Sequence, residues 1–546
     1  MRILIIGAVA AGTSAAAKAR RNTEDAEIVV YERDKYISYS GCGMPYVLSH
    51  HIQSVEELVP RDPAFFKSKY NVDILTEHEV LAIDPTEKTI QVKMLASDKI
   101  FTDHYDKLIL ATGAKAVIPP ISGIDETHVF SLRNISDLNK IASFVQLRKP
   151  EKTVIIGTGF IGLEVCENLM SLGIRVTLVE KLPQVTPGLD RDMSQYVKEQ
   201  LVSKGVQVLT GDAVSNIGHE MVQLASGETV AADMVIVATG VKPNVELAKD
   251  IGVEIGETGA IRVNPQMQTN LPDIYACGDC IEQYNLITGK SVYRPLGSTA
   301  NKTGRIAGDC VTGGDLAFRG ILGTGIFKIF DLTVAQTGLS EREALSQGYE
   351  IVVSHNIKPN KPTYMGGKEM VIKAIADKKD GRLLGVQIVG EEGVDKRVDV
   401  FATAMTFGAK AEDLAHFDLA YAPPFSTTKD PVLYTGMILD NAIRKDRTLI
   451  TAEELNTCMH SGEKYTLIDA RVPKQFDKSH IPTAVNIPQE RLREVCDELD
   501  KNVLTITYCN KGVTGNAAQN ILLNKGFKKV VNVSGGHKNY FKTIKK

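Results

Sequence analysis

An α/β fold spread over several domains is what this sequence predicts, and three observations predict it. Residues 2–32 and 153–180 each run from an apolar strand through a glycine turn into a helix and a second strand ending at an acid. The chain has 546 residues, too many for a single hydrophobic core, so three or four domains are expected. After a charged junction in the 440s, strand-like and helix-like segments begin again and continue to the C-terminus. An apolar fraction of 43% and a charged fraction of 24% are ordinary for a soluble chain. A net charge of −3 carries no signature of nucleic-acid or membrane binding. The N-terminus MRILIIG enters a strand directly, without a signal segment, and no apolar run approaches the roughly 18 residues of a spanning helix. Eight cysteines are too sparse for a secreted disulfide scaffold. The expectation is a cytoplasmic protein with neither a membrane nor a nucleic-acid partner.

The first unit reads RILIIG, then the Ala-rich helix AVAAGTSAAAKARR, then the strand EIVVYER with Glu32 at its end. Such a turn lets a pyrophosphate approach the free N–H groups of a helix start, and the acid can accept hydrogen bonds from a ribose. Its turn, Gly7-Ala8-Val9-Ala10-Ala11-Gly12, has valine at the usual middle glycine. The second unit, TVIIGTGFIG, carries the complete pattern in Gly157, Gly159 and Gly162. A helix, LEVCENLMSLG, and a strand, RVTLVE, follow and end at Glu180. Glu180 suits a free 2′-hydroxyl and so NADH, while Arg175 and Lys181 keep NADPH open.

Residues 108–113, LILATG, and 235–240, VIVATG, each end a strand in a small-Thr-Gly turn, and TNLPDIYACGD ends another at Asp279. Together these segments resemble the pyridine nucleotide–disulfide reductase superfamily, flavoproteins with two Rossmann-like dinucleotide-binding domains, over roughly residues 1–440. The resemblance implies an FAD domain at 1–148 plus 270–325, an NAD(P)H domain at 149–269 and an α+β dimerisation domain at 326–443. A linker at 444–450 follows. It implies that the cofactor contacts are Gly7, Ala8, Val9, Ala10, Ala11, Gly12, Glu32, Arg33, Val80, Ala111, Thr112, Gly113, Arg133, Asp279 and Pro295, with Gly157, Gly159, Phe160, Ile161, Gly162, Glu180 and Gly240.

Cys42 sits in SYSGCGMPY, flanked by glycines at a possible helix start, a position that lowers a thiol pKa from its ordinary value of about 8.5. In glutathione-reductase-like enzymes a second cysteine stands five positions on. Here that position is Val47, and the C-terminal His–Glu pair is represented by His416 with Tyr421 at the acid's place. The CGDC at 277–280 is accounted for by the turn around Asp279, and no second CxxC completes a zinc site. A lone cysteine resembles a narrower group, the coenzyme A disulfide reductases, NADH oxidases and peroxidases, and NADH-dependent persulfide reductases. That resemblance implies electrons passing from NADH through flavin to a mixed disulfide between Cys42 and coenzyme A. The thiolate released then attacks the next disulfide or persulfide. It further implies a homodimer in which Tyr364 and Tyr421 reach the cysteine from the second subunit. For coenzyme A it implies a site at Ser14, Lys18, Arg21, Ser38, Asn301 and Lys429. Lys18, Arg20 and Arg21 in KARR form a phosphate-binding face there, the alternative being a solvated helix end.

The C-terminal segment reads TLIDAR, SHIPTAVNIP, VLTITYCNKGVTGNAAQNILLNKGF and VVNVSGG, preceded by a helix cap at Thr451. It resembles one α/β rhodanese domain over 451–546. The loop CNKGVTG aims successive N–H groups at Cys509, a nest that stabilises thiolate and persulfide, and a helix is expected to begin near Asn516. Asp469 and Arg471 match the structural DxR of that family. Thr514 stands where many active rhodaneses have arginine, and Lys511 is expected to replace part of that charge. The implied function is reduction of coenzyme A disulfide, coenzyme A persulfide or polysulfide, with Cys509 carrying sulfane sulfur. Two alternatives are an NADH oxidase or peroxidase cycling Cys42 through sulfenic acid, and a sulfur-relay or sensor protein with a structural flavin.

Overall fold

The two glycine turns form where expected, each at the carboxyl end of the central strand of a parallel sheet. In the computed structural model, which describes residues 1–544, the last two residues of the predicted 451–546 domain lie outside the described part. The chain divides into two units, residues 1–183 with 206–323, and residues 184–205 with 324 onward.

In the first unit, the strand Arg2–Ile6 pairs in parallel with Glu27–Tyr31 on one side and Lys107–Leu110 on the other. Asp73–Leu75 and Ile274–Ala276 complete the five strands at the edges. The central strands are continuous apolar runs because both faces are covered, the pattern of a buried parallel sheet. The helix Ala10–Asn22 packs against Gly297–Cys310 through residues too small to hold it off. A Cβ on Gly304 would lie 2.3 Å from the Ala11 carbonyl oxygen, and one on Gly308 would lie 2.2 Å from that of Ala15. This approach brings Asn301 against Ser14. A second parallel sheet runs Gln207–Thr210, Arg175–Glu180, Lys152–Ile156, Met234–Val237 and Val129–Ser131.

The second unit holds an antiparallel sheet of five strands, ordered Gly325–Ile329, Leu332–Gly338, Leu383–Gly390, Glu369–Asp377 and Ile351–Pro359. Beside it the helix Pro431–Arg444 is capped by Asp430, which accepts the Val432 N–H and holds the buried Arg397 guanidinium at 2.8 Å. A parallel sheet of five strands follows, ordered Leu449–Ile450, Val530–Val533, Leu504–Tyr508, Tyr465–Asp469 and Val485–Asn486. Thr451 begins its first helix with a reciprocal capping box to Glu454. Asp469 and Arg471 form a buried pair at 2.6 Å that also ties down the Ser479 carbonyl, the structural role expected of them.

The two sheets of this unit are joined by buried polar groups. The His355 backbone N–H donates to Ser534 Oγ at 2.7 Å, the same hydroxyl lies 3.0 Å from His355 Nδ1, and His355 Nε2 lies 2.6 Å from the Asp192 carboxylate. Lys373 completes the cluster with Asp190, Asp192 and Glu341 at 3.2, 2.9 and 2.7 Å. Burial opposes ionisation of both partners. The opposite charges prevail, holding Asp192 well below the carboxylate range and Lys373 well above the usual amine range.

Candidate active site

Gly7 is in the left-handed region at φ +106°, and a Cβ there would lie 2.2 Å from the Ala111 carbonyl oxygen. A Cβ on Gly12 would lie 1.8 Å from the Gly7 oxygen, so the outer two glycines of the first turn are sterically required. At the middle position Val9 has φ −96° and ψ −122°, outside the left-handed region that calls for glycine. Glu32 accepts the Ala8 N–H at 2.8 Å and the Asp34 N–H at 2.9 Å, and burial pushes its pKa up. The second turn repeats the design at Gly157, φ +104°, and Gly162, while Gly159 faces open space as a pyrophosphate would need. Glu180 accepts the Thr158 N–H at 3.0 Å and its hydroxyl at 2.8 Å. Gly113 and Gly240 are left-handed with nothing near their Cβ positions.

Asp279 pairs with Arg133 at 2.9 Å, and Arg133 also donates to the Ala114 carbonyl. Thr112 Oγ1 donates to the Asn244 carbonyl at 2.7 Å. Ala8 and Ala11 are buried, with Ala10 and Ala111 half-buried. Phe160 and Arg33 are exposed, while Ile161 and Pro295 are half-buried. Val80 is buried in the core, so its side chain serves packing. These bare turns and terminal acids fit two dinucleotides.

Cys42 is exposed, in a single 3₁₀ turn Gly41–Gly43 that precedes the five-residue helix Met44–Leu48. The expected lowering of its pKa is not found. Partial removal from water raises it, the carboxylates of Glu164 and Asp279 raise it further, and Arg133 only partly offsets them. A helix this short supplies little dipole. Glu164, two residues past the last fingerprint glycine, is itself pushed up to about 7, by burial and then by Glu167. Sequence reasoning does not single it out, because the packing of the helix Phe160–Ser171 against Met44–Leu48 is a long-range contact. The other first-unit thiols are structural: Cys166, Cys277, Cys280 and Cys310 are buried, and Cys280 Sγ donates to the Cys277 and Leu110 carbonyls.

Ser14, Lys18 and Arg21 fall on one stripe of the helix Ala10–Asn22, spaced by four and three residues. Ser14 donates to Asn301 Oδ1 at 2.7 Å. Lys18 is held by Asp309 at 2.9 Å and by Asn22 at 2.8 Å. Arg21 is exposed beside Tyr70, its guanidinium 5.6 Å from the ring centre. Arg20 does not belong to this face. It is buried and donates to the carbonyls of Tyr70, Thr23, Glu24, Ala26 and Asn71, holding the chain after the helix. Ser38 has φ +48° and its N–H bonds the Ala8 carbonyl, beside the first turn.

In the second unit, Tyr364 is 75% exposed on the turn Thr363–Met365 and Tyr421 is 48% exposed, both free of packing that would commit them to a core. Lys429 lies 5.9 Å from the Tyr434 ring centre. Cys509 ends the strand Leu504–Tyr508 and is 5% exposed, with the Gly512 N–H donating to its sulfur at 3.2 Å. Its carbonyl accepts the His537 N–H at 2.8 Å, so the SGG turn closes over the loop. The following helix is Val513–Asn524, three residues earlier than expected, because Gly512 at φ +102° turns the chain directly into it. Lys511 does not stand in for the missing arginine: its ammonium is bound by Glu369, a residue sequence reasoning did not single out.

Residues 1–293 match the family described as pyridine nucleotide-disulphide oxidoreductase, residues 325–431 its dimerisation domain, and residues 451–543 a rhodanese-like domain. A protein of Methanocaldococcus jannaschii named NADH oxidase is 39% identical over 82% of this chain and 99% of its own. A Pyrococcus furiosus protein named NAD(P)H sulfur oxidoreductase (CoA-dependent) is 38% identical over 80% of this chain and 99% of its own. Among solved structures, reduced Bacillus anthracis CoADR-RHD superimposes with a TM-score of 0.97 at 37% identity, covering 100% of this chain and 98% of that one. A NAD-dependent persulfide reductase from A. fulgidus gives 0.91 at 37% identity, covering 99% and 100%.

Proposed function

Because the chain belongs to the pyridine nucleotide-disulphide oxidoreductases and carries a rhodanese-like domain, we propose that it reduces coenzyme A disulfide, coenzyme A persulfide or polysulfide through Cys42. It is an oxidoreductase whose cofactors are FAD and a pyridine nucleotide. The observation that carries the reading is that Cys42 is exposed and unpaired, with Val47 where a partner cysteine would stand. A redox thiol without a partner must form its disulfide with a soluble thiol. The relatives named for coenzyme A-dependent sulfur reduction and persulfide reduction support coenzyme A and persulfides as that class.

Gly7–Gly12, Glu32, Thr112, Gly113 and Asp279 hold the flavin, and Gly157–Gly162 with Glu180 hold the nicotinamide nucleotide. Bound FAD supplies the two-electron link between nicotinamide and sulfur. The Cys42 thiolate attacks one sulfur of coenzyme A disulfide, a coenzyme A thiolate leaves, and Cys42 is left in a mixed disulfide. Two electrons returned to that bond restore the Cys42 thiolate and free a second coenzyme A thiolate. With coenzyme A persulfide, attack on the inner sulfur expels hydrosulfide and leaves the same mixed disulfide. In a homodimer, Tyr364 and Tyr421 of the partner subunit donate the proton to the departing thiolate. Ser14, Lys18, Arg21, Ser38, Asn301 and Lys429 bind the coenzyme A nucleotide, and Cys509 carries sulfane sulfur to or from it.

Steady-state NAD(P)H consumption tests the reading. Cys42→Ser is expected to lower turnover with coenzyme A disulfide and persulfide more than about a thousandfold, as for other lost nucleophiles. Retained turnover would sink the proposal. The relative named NADH oxidase favours a second reading, in which Cys42 cycles through sulfenic acid. NADH consumption with oxygen or peroxide alone, at rates equal to those with sulfur substrates, would select it.

A further inference from the structure

Lys511 is the only cationic residue of the loop 509–515, and it follows Cys509 by two positions. Its ammonium is engaged by Glu369, the first residue of the strand Glu369–Asp377. The same carboxylate binds Lys538, whose own N–H donates to the Asn510 carbonyl in the loop. Two ammonium groups that flank the sulfur-carrying loop therefore converge on one half-buried carboxylate contributed from outside it. Burial opposes ionisation of Glu369, but the two lysines outweigh it and hold its pKa down. Thr514 adds no charge, and the contact made to the sulfur among the described residues is the Gly512 N–H.

We propose that Glu369 determines sulfur-donor specificity at Cys509, by withholding Lys511 from donors that bear negative charge next to the transferred sulfur. The proposal rests on Cys509 being a sulfur carrier. Two donor classes differ at the reacting end. With thiosulfate, the Cys509 thiolate attacks the sulfane sulfur, the bond to the sulfonate sulfur breaks, and sulfite leaves with two negative charges. With an alkyl persulfide, the thiolate takes the terminal sulfur, the S–S bond breaks, and an alkyl thiolate leaves with one. A free loop cation stabilises the first leaving group most, because charge builds up on sulfite beside it. With Lys511 committed to Glu369, the loop offers neutral N–H dipoles, which suffice for the alkyl persulfide.

The test follows the persulfide on Cys509 by intact mass in the full-length holoenzyme, with thiosulfate and with a small alkyl persulfide as donors. Glu369→Gln is expected to speed transfer from thiosulfate about tenfold, roughly the effect of one charge released near the site. Transfer from the alkyl persulfide should change by less than about twofold. Adding Lys511→Met to Glu369→Gln should return the thiosulfate rate to its starting value. Lys511→Met alone should change that rate by less than about twofold, because the cation is already withheld. If Glu369→Gln leaves the thiosulfate rate unchanged while the alkyl persulfide still reacts, the proposal is overturned and Cys509 remains a carrier. A large loss in Lys511→Met alone overturns it too, since Lys511 would then already serve the anion. If wild-type Cys509 accepts sulfur from neither donor, the carrier reading itself fails, and the specificity proposal with it.

Discussion

Cys42, on a 3₁₀ turn, and Cys509, directly after a parallel strand, are both free thiols, yet their surroundings are opposite. Cys42 is exposed, and the charges nearest it in effect are the carboxylates of Glu164 and Asp279, which disfavour the thiolate. Cys509 is nearly buried, and the Gly512 backbone N–H donates to its sulfur at 3.2 Å. The difference teaches how each would work. The Cys509 sulfur is engaged by its own loop, and that loop is fixed by groups outside it, through Glu369 and the Ser534–His355 contacts. Cys42 has no such internal device, so its reactivity depends on the protonation of its neighbours and on what binds beside it.

The largest expected effect separates the two thiols through their supports. Asp192→Ala leaves Lys373 buried without its best carboxylate and removes the acceptor of His355 Nε2. Breaking a buried pair from one side costs about 3–5 kcal/mol. Hydrogen exchange should show the amides of Val530–Val533, which lead into Ser534, losing protection, while those of Arg2–Ile6 keep theirs. Equal loss in both strands would mean that the cluster does not support the Cys509 side in particular.

What the sequence made legible follows the range of the interaction. The glycine turns, the terminal acids Glu32 and Glu180 and the capping box at Thr451 are local, and spacing alone specifies them. The partners that decide charge are not local. Asp309 reaches Asn22 from 287 residues away, and Glu369 meets Lys538 across 169. No spacing rule links such pairs, so Lys511 looked like a free cation. Arg20 leaves the expected phosphate-binding face for a different reason. Helical periodicity places Ser14, Lys18 and Arg21 together and turns Arg20 about 100° away toward the interior, a distinction available from the sequence.

A smaller effect sharpens the claim that Cys42, and not Cys509, depends on a recruited thiol. Arg21 is exposed beside Tyr70, whereas Lys18 is already neutralised by Asp309. Arg21→Met should therefore raise KM for coenzyme A disulfide about tenfold, the worth of one charge-assisted hydrogen bond, with kcat little changed. Lys18→Met should raise it less. The rate of sulfur loading on Cys509 from a small alkyl persulfide should be unaffected by either. If Lys18 proves the more sensitive position, Asp309 must release it when the nucleotide binds.

The smallest effect concerns pH at Cys42. Glu164 has its pKa pushed up to about 7 from an ordinary 4.5, so over that interval the folded protein holds a proton the unfolded chain gives up. Its contribution to stability is complete below 4.5 and is lost as the pH rises through about 7. In the same rise Glu164 becomes an anion near Cys42 and further disfavours the thiolate. Alkylation of Cys42 in the reduced holoenzyme should accordingly climb with pH less steeply than a single ionisation requires. Glu164→Gln removes the second charge while keeping the shape. It should restore the steepness of a single ionisation, shift the alkylation midpoint to lower pH and reduce the decline in unfolding temperature between pH 5 and 8 (about the range of that titration). An unchanged alkylation profile would mean that Asp279 alone governs the charge at Cys42.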